Sequence, residues 1–378
     1  MTNMLDYLTW RGDLPFTLDP LNEVDALVFA QLTYIRWEYI WQEGEIAFLQ
    51  SLYSRIKEYK YSTSFTAEHD LKMLPIAKDS VRFGQLPVTD FVQSLDAAAE
   101  EQFAAITFHL PDKLVIAFRG TDCTLVGWRE DFKLACTPEV AAQRRAAEYL
   151  SRLASDYPGI PIILTGHSKG GNLAVYAAAT ASPEIRMRIT DVYNFDGPGQ
   201  SEKLFTSAEY AEIENRIHTL VPESSIIAML MCHPSVQTVL KSGNISIYQH
   251  DPYSWSITCT HFDTLPERNS DSKYFESVFE RWLSEVNMED RTVFVDTLFD
   301  ILSSTNAQSF GQDFVKNLRE HPMEFLSSFQ NVDKASWLKI SRVIGAFLDS
   351  AVQNGFAMSP VSRLMESIQS RRGKKETA

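Results

Sequence analysis

Through the first hundred residues apolar positions recur three and four apart. In "LNEVDALVFAQLTYIRWEYI", Val24, Leu27, Val28, Leu32 and Ile35 share one face of a helix, and Asn22 is placed to cap its N-terminus. "EIAFLQSLYSRIKEYK" repeats the spacing, and "VTDFVQSLDAAA" predicts a third, shorter helix. From residue 102 the texture changes. "QFAAITFHL" and "KLVIAFRG", separated by Pro111 and Asp112, predict a β-hairpin.

Strand and helix then alternate. The helix "PEVAAQRRAAEYLSRLASDY" leads to the strand "IPIILTG", a helix of small residues follows Ser168, and "ITDVYNFDGPG", "SAEYAEIENR" and "IHTLVP" continue as strand, helix and strand. That order predicts a mostly parallel sheet with helices on both faces. "NISIYQHDPYSWSITC" predicts two more strands joined by a tight turn at Asp251-Pro252. Beyond it the strands stop. Amphipathic segments such as "SKYFESVFERWLSEV" and "KASWLKISRVIGAFLDSAVQ" predict a C-terminal helical module over 268–378, with a basic tail, after an α/β domain over 1–267.

Composition narrows the class. The 378 residues are 44% hydrophobic and include 23 Phe, 14 Tyr and 7 Trp, enough to bury a sizeable core. The net charge of −14 argues against a nucleic-acid surface, which needs clustered Lys and Arg. No stretch has the roughly 18 consecutive apolar residues of a membrane span, and "MTNMLDYLTWRGDLPF" lacks the basic-then-apolar order of a secretory signal. A cytoplasmic protein is expected. Cys123, Cys136, Cys232 and Cys259 are widely spaced without a CxxC pair, which fits reduced thiols better than disulfides or zinc. The histidines show no ligand spacing either, so neither a metal nor a cofactor is expected.

One stretch carries candidate chemistry. "PIILTGHSKGGNLAVYAAA" sets Ser168 between Gly166 and Gly170, at the junction of a buried strand and a helix. A sharp strand-to-helix turn requires glycines on both sides of a serine, because the two backbones approach too closely for a Cβ. The backbone N–H of Lys169, at the start of the helix, then points toward a developing oxyanion. The bland reading is a glycine turn whose serine caps the helix.

A serine nucleophile also needs a base, and where a serine stands on such a strand-to-helix elbow the acid and then the histidine are expected to follow it in the chain. Of the eight histidines, His250 stands before a turn where a late loop reaches the top of the sheet, with His261 as its rival. His167 is adjacent to Ser168, where its ring cannot easily fold back onto the serine. For the acid, Asp196 in "YNFDGPG" is placed at a strand end and Glu223 lies just after "LVP". Asp196 is preferred; its bland reading is a turn residue.

"FRGTD", "GWREDF", "TGHSKGGNLAVYAA", "FDGPG", "VPESSIIAML" and "QHDPYSW" together resemble the class 3 lipase branch of the α/β-hydrolases, and more closely the bacterial Mbeg-like family of lipase-like proteins. The resemblance spans about residues 1–260. It implies that the residue after Arg-Gly, Thr121, supplies a second oxyanion-hole donor beside Lys169, and that Asp131 orients either Arg119 or the oxyanion loop; an ordinary Arg119–Asp131 ion pair is the plain alternative. It also supports His250 through the QHD segment. Class 3 lipases usually take their acid from Asp-x-Val-Pro, and the comparable segment here carries Thr219.

Two functions follow from these residues. One is a serine hydrolase cleaving small acyl esters or lipid esters through an acyl-enzyme. The other, favoured by Thr219, is a catalytically weak or inactive hydrolase-fold scaffold that binds a partner through the helical module, which is also the expected homodimer contact.

Overall fold

The computed structural model describes residues 2–56, 66–122, 124–134, 137–225, 227–270 and 272. The helical module expected over 268–378, with its homodimer contact, lies almost wholly outside these residues, as do Cys123 and Cys136.

Ten helices are described: α1 Met4–Arg11, α2 Glu23–Leu32, α3 Leu49–Ile56, α4 Ala67–Asp79, α5 Leu125–Leu134, α6 Ala141–Asp156, α7 Lys169–Thr180, α8 Pro183–Arg186, α9 Glu202–Phe205 and α10 Ala208–Ile213. Nine strands form the main sheet in the order β1 (Ala47–Phe48), β2 (Pro87–Asp96), β3 (Glu101–His109), β4 (Leu114–Phe118), β5 (Ile162–His167), β6 (Ile189–Phe195), β7 (Ile217–Pro222), β8 (Thr238–Leu240) and β11 (Thr264–Leu265). β4 to β8 run parallel, and the margins on both sides are antiparallel. This mixed sheet between helical layers is an α/β-hydrolase fold.

The period of two divides the core. Ile162, Leu164, Ile116 and Phe118 face α6 and α7, whereas Ile163, Val115 and Ala117 face α2 and its neighbours. Asn22 caps α2 as its sequence predicts, accepting from the Val24 and Asp25 N–H groups while Asp25 accepts from the Asn22 N–H.

Two sequence expectations are corrected. "VTDFVQSLDAAA" is not a helix but most of β2, paired with β3. The register shifts between Thr89 and Val92, and Asp90 takes φ 58°. This bulge interrupts the period of two, so Val88 reaches one core and Val92 the other, and the apolar spacing imitates a helix. The segment 244–259 is not a pair of strands. It folds into short 3₁₀ turns, Ser246–His250 and Pro252–Ser254; Trp255 makes a single antiparallel bridge with Ser242, and only Ile257–Thr258 (β9) forms a strand, paired with His261–Phe262 (β10). Asp251 accepts from the Tyr253 N–H, and the Trp255 indole donates to the Gln249 carbonyl at 2.7 Å. Side chains within the loop thus satisfy backbone groups that a ladder would otherwise take.

Candidate active site

Ser168 stands between β5 and α7 at φ 58°, ψ −135°. A serine in this region is strained, and the surrounding backbone must hold it there. Its N–H donates to the Phe195 carbonyl at 2.9 Å, and its own carbonyl accepts from the Gly171 N–H at 2.9 Å. A Cβ on Gly166 would lie 2.2 Å from the Gly170 carbonyl, so only glycine permits this crossing of strand and helix. Across the turn, a Cβ on Gly120 would stand 2.2 Å from the Tyr34 hydroxyl and 3.1 Å from the Ser168 Cβ. The Arg119-Gly120-Thr121 loop therefore packs directly on the serine.

Asp196 follows β6, the strand next to β5, and its N–H is bonded to the Leu220 carbonyl at 2.9 Å. Its carboxylate is buried. Oδ2 is 2.6 Å from the His250 Nδ1, and Oδ1 accepts from the Ser225 hydroxyl. The φ of 49° at Asp196 turns the chain sharply at the strand end. Glu223 is held elsewhere, with the Gln249 side-chain amide donating to its Oε1 at 3.5 Å. The rival base His261 lies on β10, 3.8 Å from Glu23 and largely exposed.

His250 is gripped from a second side. The His167 Nε2 is 3.0 Å from the His250 carbonyl oxygen, and the two rings lie 4.5 Å apart, 31° from parallel. A carbonyl only accepts, so the His167 Nε2 carries the proton, and its Nδ1 accepts from the Tyr34 hydroxyl at 3.2 Å. Burial, and then the neighbouring His250, hold the His167 imidazole well below the ordinary histidine range. Burial pushes the Tyr34 phenol up as well.

The Arg119-Gly120-Thr121 loop is tied down by acids. The Thr121 hydroxyl donates to Asp131 Oδ2, while Asp131 Oδ1 lies 3.8 Å from the Lys169 Nζ. Burial pushes the Asp131 carboxyl up to about 6, against the opposing pull of the Lys169 charge and the Thr121 bond. Asp131 therefore serves the loop and not Arg119. The buried Arg119 instead donates to the carbonyls of Thr33 at 2.7 Å and Ile35 at 3.4 Å, and lies 3.5 Å from Glu38. The plain Arg119–Asp131 ion pair does not form: Arg119 reaches the segment after α2, whereas Asp131, on α5, is engaged by Thr121 and faces Lys169.

A model of the Mbeg1-like family matches residues 77–300. The chain belongs to the Mbeg1-like family. No curated protein sequence matches this Mbeg1-like chain. Among solved structures it is similar to lipase II from Rhizopus niveus, at 15% identity and a TM-score of 0.35, covering 65% of this chain and 88% of that one. It is also similar to a lipase from Yarrowia lipolytica, at 13% identity and a TM-score of 0.32, covering 60% and 80%. A third similar structure is a lipase from Rhizopus microsporus var. chinensis, at 16% identity and a TM-score of 0.34, covering 67% and 87%.

Sequence reasoning missed several supporting groups of this Mbeg1-like site. Tyr34 read only as part of an amphipathic helix, Ser225 stood in "VPESSIIAML" without a role, Gln102 carried no motif, and the Lys169 side chain was silent beside its own N–H. Glu130, inside "GWREDF", was the one available signal of a charged partner. Among the described residues no group of three or more His, Cys, Asp and Glu is arranged to hold a metal. None of their helices is long and apolar enough to cross a membrane.

Proposed function

We propose that this protein is a serine hydrolase that transfers the acyl group of a carboxylic ester first to Ser168 and then to water. The observation that carries the reading is the buried 2.6 Å bond between Asp196 and the His250 Nδ1, at the strand end beside the strained Ser168 turn. With Nδ1 engaged by Asp196, the His250 Nε2 takes the proton of the Ser168 hydroxyl as its oxygen attacks the ester carbonyl. The tetrahedral oxyanion is received by the backbone N–H groups of Thr121 and Lys169. His250 returns the proton to the departing alcohol. Water then attacks the acyl-enzyme by the same route, releasing the acid and restoring Ser168. Asp196 keeps the imidazole in its working tautomer and offsets the charge that forms on it. The scaffold reading rested on Thr219 in place of an acid, and a carboxylate supplied from β6 leaves it without that argument. Lipid esters are the favoured substrates by family likeness.

A fluorophosphonate probe tests the proposal. Wild-type protein is expected to be labelled and Ser168→Ala is not; a folded wild type that resists the probe sinks the reading. Hydrolysis of p-nitrophenyl esters of rising chain length then separates lipid-like from small acyl groups.

A further inference from the structure

The Lys169 side chain is fully buried. Its ammonium donates to the Gln102 carbonyl at 2.9 Å, to the Gln102 Oε1 at 2.6 Å and to the Glu130 Oε2 at 2.8 Å, so all three protons are placed. Glu130 is fixed in turn by the N–H groups of Gln102 at 3.0 Å and Ala142 at 2.9 Å. Burial works against the ammonium, but Glu130 and Asp131 outweigh it and keep Lys169 above the ordinary lysine range. A buried ion group is weak evidence for stability, since an apolar side chain of similar volume often serves as well. The first helical position after Ser168 needs only a backbone N–H. The side chain requires another explanation.

The arrangement of Gln102 supplies it. Because its Oε1 is held by the ammonium, its Nε2 faces the other way, where it donates to the Gly120 carbonyl at 3.4 Å. That carbonyl belongs to the same planar peptide as the Thr121 N–H, so fixing one end sets the direction of the other. The Thr121 side chain is held by Asp131, which lies against the same ammonium. We propose that Lys169 is a positioning residue for the oxyanion hole: its ammonium, acting through Gln102 and Asp131, aims the Gly120–Thr121 peptide so that the Thr121 N–H converges with that of Lys169 itself. One residue thereby supplies one donor and orients the second. The inference rests on the acyl-transfer reading above.

The test begins with wild-type protein and the fluorophosphonate probe, then compares Gln102→Met, Gln102→Glu and Lys169→Met. Thermal melting establishes that each variant is folded. The readouts are kcat and KM for p-nitrophenyl butyrate, the pH profile of kcat/KM, and inhibition by a trifluoromethyl ketone, whose adduct carries the tetrahedral oxyanion. Gln102→Met is expected to lose about 10–100-fold in kcat and a similar factor in ketone affinity, with KM and the pH midpoint unmoved. Gln102→Glu keeps the acceptor for Lys169 but, ionised, offers no donor to Gly120, and is expected to lose as much. A merely structural role would lower the melting temperature without this split. Should Lys169→Met fail to fold, the Gln102 pair still decides. A folded Gln102→Met with wild-type kcat and ketone affinity overturns the inference while leaving the acyl-transfer reading intact; an unlabelled wild type overturns both.

Discussion

The imidazole of His167 lies against that of His250, ring centres 4.5 Å apart, while its Nε2 holds the His250 carbonyl. The residue beside the candidate nucleophile is thus a support for the candidate base. Burial, and then the neighbouring His250, favour the neutral imidazole, whose Nδ1 accepts from the Tyr34 hydroxyl.

A pH dependence of stability follows from His167. Its folded-state pKa is depressed below the ordinary 6.5, so its contribution is in place above that value. It is lost as pH falls below 6.5, because the unfolded chain takes up the proton first. Melting temperature measured against pH is expected to decline through this window in wild type and to decline less in His167→Gln.

Asp131 acts with the opposite sign. Its carboxyl is raised from 3.8 to about 6, so its contribution is complete below 3.8 and is lost as pH rises toward 6. Asp131→Asn is expected to flatten that loss. The same melting series checks it, and a steeper loss in the variant would contradict the assignment.

The Ser168 turn stores strain that glycine would release. Ser168→Gly is expected to abolish fluorophosphonate labelling and to raise stability by about 1 kcal/mol in denaturant unfolding, since φ 58° with ψ −135° is readily adopted only by glycine. Gly166→Ala works the other way. Its new Cβ would sit 2.2 Å from the Gly170 carbonyl, and a loss of about 1–3 kcal/mol or more is expected.

The two acids considered for the site separate by kinetics. Asp196→Asn is expected to lower kcat on the order of 10⁴-fold, because the amide favours the wrong His250 tautomer. Glu223→Gln, whose carboxylate accepts from Gln249, is expected to change kcat less than about 3-fold. Equal losses in the two would remove Asp196 from its role.

The alternation of strand and helix from 102 to 222 was legible because the strands carry short β-rich apolar runs, continuous in β4 and the start of β5, and the helices repeat apolar or small residues at three- and four-residue spacing. Ser168 was legible for the same local reason, as the flanking glycines answer a steric demand within six residues of chain. The β2 bulge was not. One inserted residue at Asp90 rephases a strand, and nothing in the apolar spacing separates that from a helix.

The sequence by itself therefore determined the layered α/β plan, the serine turn and a short roster of histidines and acids. Only the tertiary structure decided which of them meet. Whether Asp196 or Glu223 faces His250 depends on how β6, β7 and a loop some 50 residues later come together, and hydrophobic period carries no information about that. The Lys169 side chain, Gln102 and Tyr34 are invisible as motifs for the same reason, and Glu130 shows only as a charge inside "GWREDF". They come from separate elements, and their roles arise from hydrogen bonds and charge pairing that exist only once the sheet has brought those elements together.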